Sequence, residues 1–111
     1  MSRARGLARV TLSAAMTLCG AAPLSAGDRE LGEYLSSECV TCHQISGRYD
    51  GIPPIVGLTE ADFARALGEY RDKSRENAVM RSIAVKFTDE EIAALASYFG
   101  SIGAHAEKSQ R

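Results

Sequence analysis

Five consecutive residues, Cys39-Val40-Thr41-Cys42-His43, constrain this 111-residue chain more than any other feature. On a helical turn, thiols three positions apart lie on one side, with the imidazole of the next residue beside them. Such a pair can form thioethers to both vinyl groups of one haem while the histidine presents a nitrogen to the iron, the CxxCH pattern of covalent haem attachment. Other readings use fewer of these residues. A haem-free thiol-disulfide module accounts for Cys39 and Cys42 alone, with no βαβ pattern around them. A zinc site needs a fourth ligand at a recognisable spacing, and the other histidine, His105, stands in a polar tail. Chance leaves the coincidence of spacing and histidine unexplained.

The N-terminal segment shortens the chain that has to fold. Arg3, Arg5 and Arg9 precede an acid-free stretch, Val10 to Leu24, that ends in Ser25, Ala26 and Gly27. This reads as a secretory signal peptide over residues 1–26 with cleavage after Ala26, and it implies export to the periplasm. The stretch is shorter than the roughly 20 residues of a membrane-spanning helix, so no permanent membrane anchor is expected. Cys19 follows Leu18 instead of a small residue, which argues against lipidation, and it leaves with the signal.

Residues 27–111 then form one domain, with a polar tail at 103–111. It keeps 10 basic and 14 acidic side chains, and no basic stripe that could neutralise a row of phosphates, so nucleic acid is not an expected partner. With three Phe, four Tyr and no Trp, the apolar core is modest, and a domain of this size calls for a cofactor, a metal or a disulfide.

If one haem is present, its iron needs a second axial ligand, and methionine is a common one. Met1 and Met16 fall in the signal, which leaves Met80, 37 positions beyond His43, as the candidate. A gap-filling core methionine is the competing role.

Three helices are legible. The first runs from about Arg29 to Cys42, with Leu31, Tyr34 and Leu35 on one face. A second is capped by Thr59, with Asp62 at the capping-box position, and carries Phe63, Leu67 and Tyr70 to about Lys73. The third opens on the capping box Thr88-Asp89-Glu90-Glu91, places Ile92, Leu95, Ala96 and Phe99 on one stripe, and should end at Gly100 and Gly103. No strand pattern or internal repeat is visible, so the fold class is all-α. Gly47, Gly51, Pro53, Pro54 and Gly57 make the segment after the motif irregular; a proline carbonyl there could accept the Nδ1 proton of His43, or the segment is an ordinary turn. Arg75 and Asn77, near Met80, could bond a propionate or the ligand loop, or simply be solvated.

Over residues 28–103 the chain resembles a class I cytochrome c. The likeness rests on the CxxCH motif, the helix leading into it with Gly32 and Leu35, the loop Pro53-Pro54-Ile55-Val56-Gly57-Leu58, Met80, and the capped C-terminal helix. It implies a small fold of three to four helices wrapped around one covalently bound haem, with Pro53 supplying the carbonyl to His43 and Ile55 packing on the haem. A narrower likeness lies in Tyr70-Arg71-Asp72-Lys73-Ser74-Arg75-Glu76-Asn77-Ala78-Val79-Met80 and in Phe87-Thr88-Asp89 leading into Leu95-Ala96-Ser97-Tyr98-Phe99. It is similar to the dihaem bacterial cytochromes c and to the cytochrome subunits of flavocytochrome c sulfide dehydrogenases, in which the methionine matching Met80 is an axial ligand. Two departures stand out: Lys73 occupies a position where those proteins often have glycine, and only one haem motif is present.

The expected function is single-electron transfer at a His43/Met80-ligated haem, an electron-transfer protein and not a catalyst on its own. The resemblance implies a redox protein partner: either a flavoprotein dehydrogenase of the sulfide-oxidising type, with this chain as its electron-accepting subunit, or, for a free-standing shuttle, an oxidase or another redox enzyme.

Overall fold

The computed structural model describes residues 20, 27–48, 50–109 and 111, so the signal segment expected over 1–26 lies, apart from Gly20, outside the described residues. Five helices follow one another: α1 (Arg29–Leu35), α2 (Ser37–Val40), α3 (Glu60–Arg71), α4 (Ala78–Ala84) and α5 (Asp89–Ser109). Among the described residues there is no strand, as an all-α fold requires, and no helix is long and apolar enough to cross a membrane.

Local chemistry accounts for the helix starts. Asp28 accepts the backbone N–H groups of Glu30 and Leu31 at the head of α1. Thr59 Oγ1 accepts the Asp62 N–H at the head of α3. Thr88 and Glu91 form the full reciprocal box at α5, the Glu91 N–H donating to the threonine hydroxyl and the Thr88 N–H to the Glu91 carboxylate. Asn77 Oδ1 accepts the Met80 N–H and starts α4, the helix that was not anticipated.

Two expectations are corrected. The single helix expected over 29–42 is broken at Ser36, whose hydroxyl bonds back to the Glu33 carbonyl and competes with the helix ladder. The last helix does not stop at Gly100 and Gly103 but continues to Ser109, through most of the tail. The apolar stripe continues at Ile102, which packs on the core, so burial holds the helix past both glycines. A Cβ on Gly100 would lie 2.9 Å from Glu60 Cγ and one on Gly103 3.1 Å from the Gly57 nitrogen, so these glycines make room for the start of α3 and the loop before it instead of forming a C-cap.

Helix α5 is the spine, with α1 and α3 packed on it and α4 on α3. Phe63 and Leu67 of α3 meet Ile92, Leu95, Ala96 and Phe99 of α5, with Phe87 and Ala84 beside them. The Phe63 and Phe99 rings stack at 5.5 Å. Arg71 fastens the end of α3 to the start of α5 by donating to the Phe87 carbonyl and to Asp89. Where α1 crosses α5, a Cβ on Gly32 would lie 2.0 Å from the Ala94 carbonyl oxygen, so the two backbones touch only because no side chain intervenes.

That contact sets the first expected outcome. Gly32→Ala forces the helices apart and costs about 1–3 kcal/mol, whereas Gly68→Ala on α3, with open space around it, stabilises by about 0.5–1 kcal/mol. Thermal melts of the two variants should move in opposite directions.

Candidate functional site

Around the motif the chain makes one tight turn. The N–H groups of Cys42 and His43 both donate to the Cys39 carbonyl, at 3.2 and 2.8 Å, so the three functional side chains radiate from a single helical turn. Cys39 is buried, Cys42 is exposed, and the two are not joined by a disulfide. Burial pushes the Cys39 thiol up to about 11, and the adjacent Glu38 carboxylate adds to the effect. Lys86, just past α4, pairs with Glu38 at 3.2 Å and links α2 to the Met80 side of the molecule.

His43 is buried, and its Nδ1 lies 2.6 Å from the Pro53 carbonyl oxygen. A carbonyl can only accept, so Nδ1 carries the proton and Nε2 keeps the lone pair that can bind a metal. The segment 51–58, irregular because of its glycines and prolines, thus fixes the tautomer and the plane of the ring.

A cavity of about 610 Å³ lies beside this imidazole. Its walls come from three parts of the chain: Ile52, Pro53, Pro54, Ile55 and Leu58 of the loop, Phe63, Ala66, Leu67 and Tyr70 of α3, and Val79 and Met80 of α4. Cys42 and His43 close it at the motif end, and a smaller recess of about 90 Å³, bordered by Cys39, Cys42, His43 and Met80, adjoins the same walls. Polar groups are few: Asp62, Arg65, Arg75 and Asn77. Hydrogen bonds from Arg65 and Thr59 hold Asp62 below the ordinary carboxylate range. Arg75 lies over the Tyr70 ring at 5.1 Å and pairs with Glu69. Among the described residues no group of three or more His, Cys, Asp or Glu gathers as a bare-ion site.

Of the residues singled out from sequence, Cys39, Cys42, His43, Pro53, Ile55 and Met80 all border the cavity or its recess, and Arg75 and Asn77 also line it. His105 is exposed on the last turns of α5. Lys73 adopts φ +69°, a left-handed conformation that suits glycine and keeps the reversal before α4 despite its side chain. Sequence reasoning missed Arg65, which lines the cavity and whose i,i+3 and i,i+4 pairs with Asp62 and Glu69 were the available signal, and Arg81, which binds the loop before Met80 through backbone carbonyls that no local pattern marks.

The cytochrome c family profile matches residues 30–103. The chain is 38% identical over 72 residues to the cytochrome subunit of sulfide dehydrogenase from Chlorobaculum tepidum, covering 64% of this chain and 66% of that protein. It is 34% identical over 83 residues to cytochrome c-554(548) from Halomonas halodenitrificans, covering 68% of this chain and 98% of that protein. A thiosulfate dehydrogenase electron acceptor from Thiomonas intermedia is 34% identical over 70 residues, 60% of this chain and 32% of the acceptor. The chain thus spans just under two-thirds of the Chlorobaculum subunit and about a third of the Thiomonas acceptor. It belongs to the cytochrome c family, and with that membership come a covalently attached haem c and a role in electron transfer.

The residues present fit that group. The cavity lies within the roughly 300–1,000 Å³ typical of sites that enclose a cofactor, it is mostly apolar, and an imidazole nitrogen and a thioether sulfur border it. The same cavity leaves Ile52, Leu58 and Val79 with exposed apolar surface that no other side chain covers. Chain prepared without haem is therefore expected to be largely unfolded, with no cooperative thermal transition by circular dichroism, while holoprotein melts cooperatively.

Proposed function

We propose that this chain is an exported monohaem electron carrier in which Cys39 and Cys42 hold the haem by thioethers and His43 and Met80 are the axial ligands of its iron. The observation that carries this reading is the arrangement of four groups around the cavity and its adjoining recess: two cysteine sulfurs on a helical turn, an imidazole whose Nδ1 is held by Pro53, and a thioether sulfur. When bound, the haem supplies a one-electron ferric/ferrous couple. Pro53 keeps the His43 ring in one tautomer, and Asn77 fixes the backbone of Met80 through its N–H. A thioether at the sixth position favours the ferrous state and raises the potential. With protein groups at both axial positions, no coordination site remains for oxygen, peroxide or substrate, so the reading is outer-sphere transfer and not catalysis at the iron.

The arginine-led segment at 1–26 supports export to the periplasm, with the domain beginning at Gly27. The partner we propose is a flavoprotein dehydrogenase of the sulfide-oxidising type, with this chain as its electron-accepting subunit. Similarity to the Chlorobaculum subunit supports that choice, and so does the cavity rim. Val79 is 66% exposed there, with Ile52 and Leu58 also exposed, while Arg65, Arg75, Arg81 and Lys86 are each paired with a carboxylate of this chain. Such a rim favours apolar docking over charge steering. A free-standing shuttle is the second reading, favoured by the match over 98% of cytochrome c-554(548).

Absorption spectra of the protein isolated gently from its own periplasm separate the two. Haem with stoichiometric flavin, and electron-transfer rates that vary little with salt, are expected for the subunit; haem without flavin and steeply salt-dependent rates would favour the shuttle. Met80→Ala is expected to lower the reduction potential and open the iron to imidazole, and an unchanged potential would contradict Met80 ligation. His43→Ala is expected to yield no stable holoprotein.

A further inference from the structure

Resting on the reading of Met80 as an axial ligand, we infer that Arg81 is a positioning residue that latches the loop before α4 and so holds Met80 at the cavity. Its guanidinium makes three bonds within that loop. Nε donates to the Arg75 carbonyl at 2.8 Å, and Nη2 donates to the Lys73 carbonyl at 2.7 Å and to the Glu76 carboxylate at 2.9 Å. The side chain is only 26% exposed although it lies at the surface, because the loop wraps it.

The loop needs such a tie. Residues 72–77 reverse the chain between α3 and α4, and Lys73 holds φ +69° within the reversal. In that region the Cβ of a non-glycine residue crowds the backbone, so the conformation persists only where its surroundings enforce it. The bond from Arg81 to the Lys73 carbonyl enforces it directly. The two carbonyls lie eight and six positions before Arg81, one on either side of Ser74, so one planar fork spans the turn. Arg81 follows Met80 in the chain, and its own N–H donates to the Asn77 carbonyl in the first turn of α4. The latch thus joins the turn that starts the loop to the helix turn that carries the sulfur.

Without the latch, the left-handed turn at Lys73 keeps its bonds to α3, from the Lys73 N–H to the Tyr70 carbonyl and from the Arg75 N–H to the Glu69 carbonyl, and α4 keeps its Asn77 cap, but the tie between turn and helix is lost. Conformers with Met80 away from the iron then become more populated, and an added ligand binds in proportion to that population. Charge-assisted bonds to two carbonyls are strong enough that losing them shifts the balance about tenfold.

The test is imidazole titration of the ferric holoprotein, followed by the haem absorption. Arg81→Ala is expected to bind imidazole about tenfold more tightly than the native chain, and Arg81→Lys to fall between, since an ammonium keeps the charge but not the fork. Lys73→Gly in the Arg81→Ala background should recover part of the difference, because glycine takes the left-handed conformation without steric cost. In a Met80→Ala background the Arg81 substitution should change nothing, because the latch acts through Met80. Native-like affinity in Arg81→Ala, or an equal gain in the Met80→Ala background, would overturn the latch and leave Met80 ligation intact. Absence of the far-red sulfur-to-iron band from the native ferric protein would defeat the ligation reading and the latch together. Should Arg81→Ala fail to assemble, Arg81→Lys with and without Lys73→Gly carries the same comparison.

Discussion

Apolar side chains that face a cavity are the constraint on which this structure depends. Phe63 and Leu67 are buried against Phe99 and Leu95, but Ile52, Leu58 and Val79, which line the same space of about 610 Å³, stay exposed. A core built as a wall gains only part of the burial its residues could provide, since a void leaves its lining without partner atoms. The group that fills the space therefore completes the fold as well as performing the chemistry, so loss of the cofactor and loss of structure are linked.

The parts legible in the sequence are those governed by short-range rules. Cys39, Cys42 and His43 stand in a five-residue motif whose spacing has a single-turn geometry, and Thr59 and Thr88 announce their helices by caps that form as read. Met80 could be singled out because it is the one methionine outside the segment read as a signal. What was not legible depends on contacts made across the fold. The continuation of α5 past Gly100 and Gly103 follows from the packing of Ile102 on the core, with the glycines giving room to residues 57 and 60, and local rules assign such glycines to a helix end. The break at Ser36 turns on whether a serine hydroxyl bonds backward, a choice its neighbours in sequence do not settle.

The approach to Met80 shows how different devices divide one task. Asn77 satisfies the Met80 N–H, Arg81 ties the loop carbonyls, and Arg75 is held over Tyr70 beside the cavity. None of these side chains belongs to the apolar core. The backbone at Met80 is thus held by a polar scaffold at the surface while its side chain packs on the core, and the His43 imidazole is held from a buried position by one backbone carbonyl. The two sides of the cavity differ in exposure, and the side with more solvent-exposed bonds is the one that opens more readily.

The backbone contact between Gly32 and Ala94 joins positions 62 apart, and the segment between them contains every residue assigned to the site. Closing a ring of that size costs about 3–4 kcal/mol of chain entropy, most of which a shorter ring would also have to meet. Once α1 lies on α5, the loop at 51–58 and the helix at 78–84 no longer explore space as parts of an open chain. Both are confined to the neighbourhood of the motif at a high effective concentration. The crossing of the two outer helices, remote from any chemistry, thus makes the approach of Pro53 to His43 and of Met80 to the cavity a search within a closed circuit. Its tightness is set by the missing side chains at two glycines, Gly32 and, just before α1, Gly27.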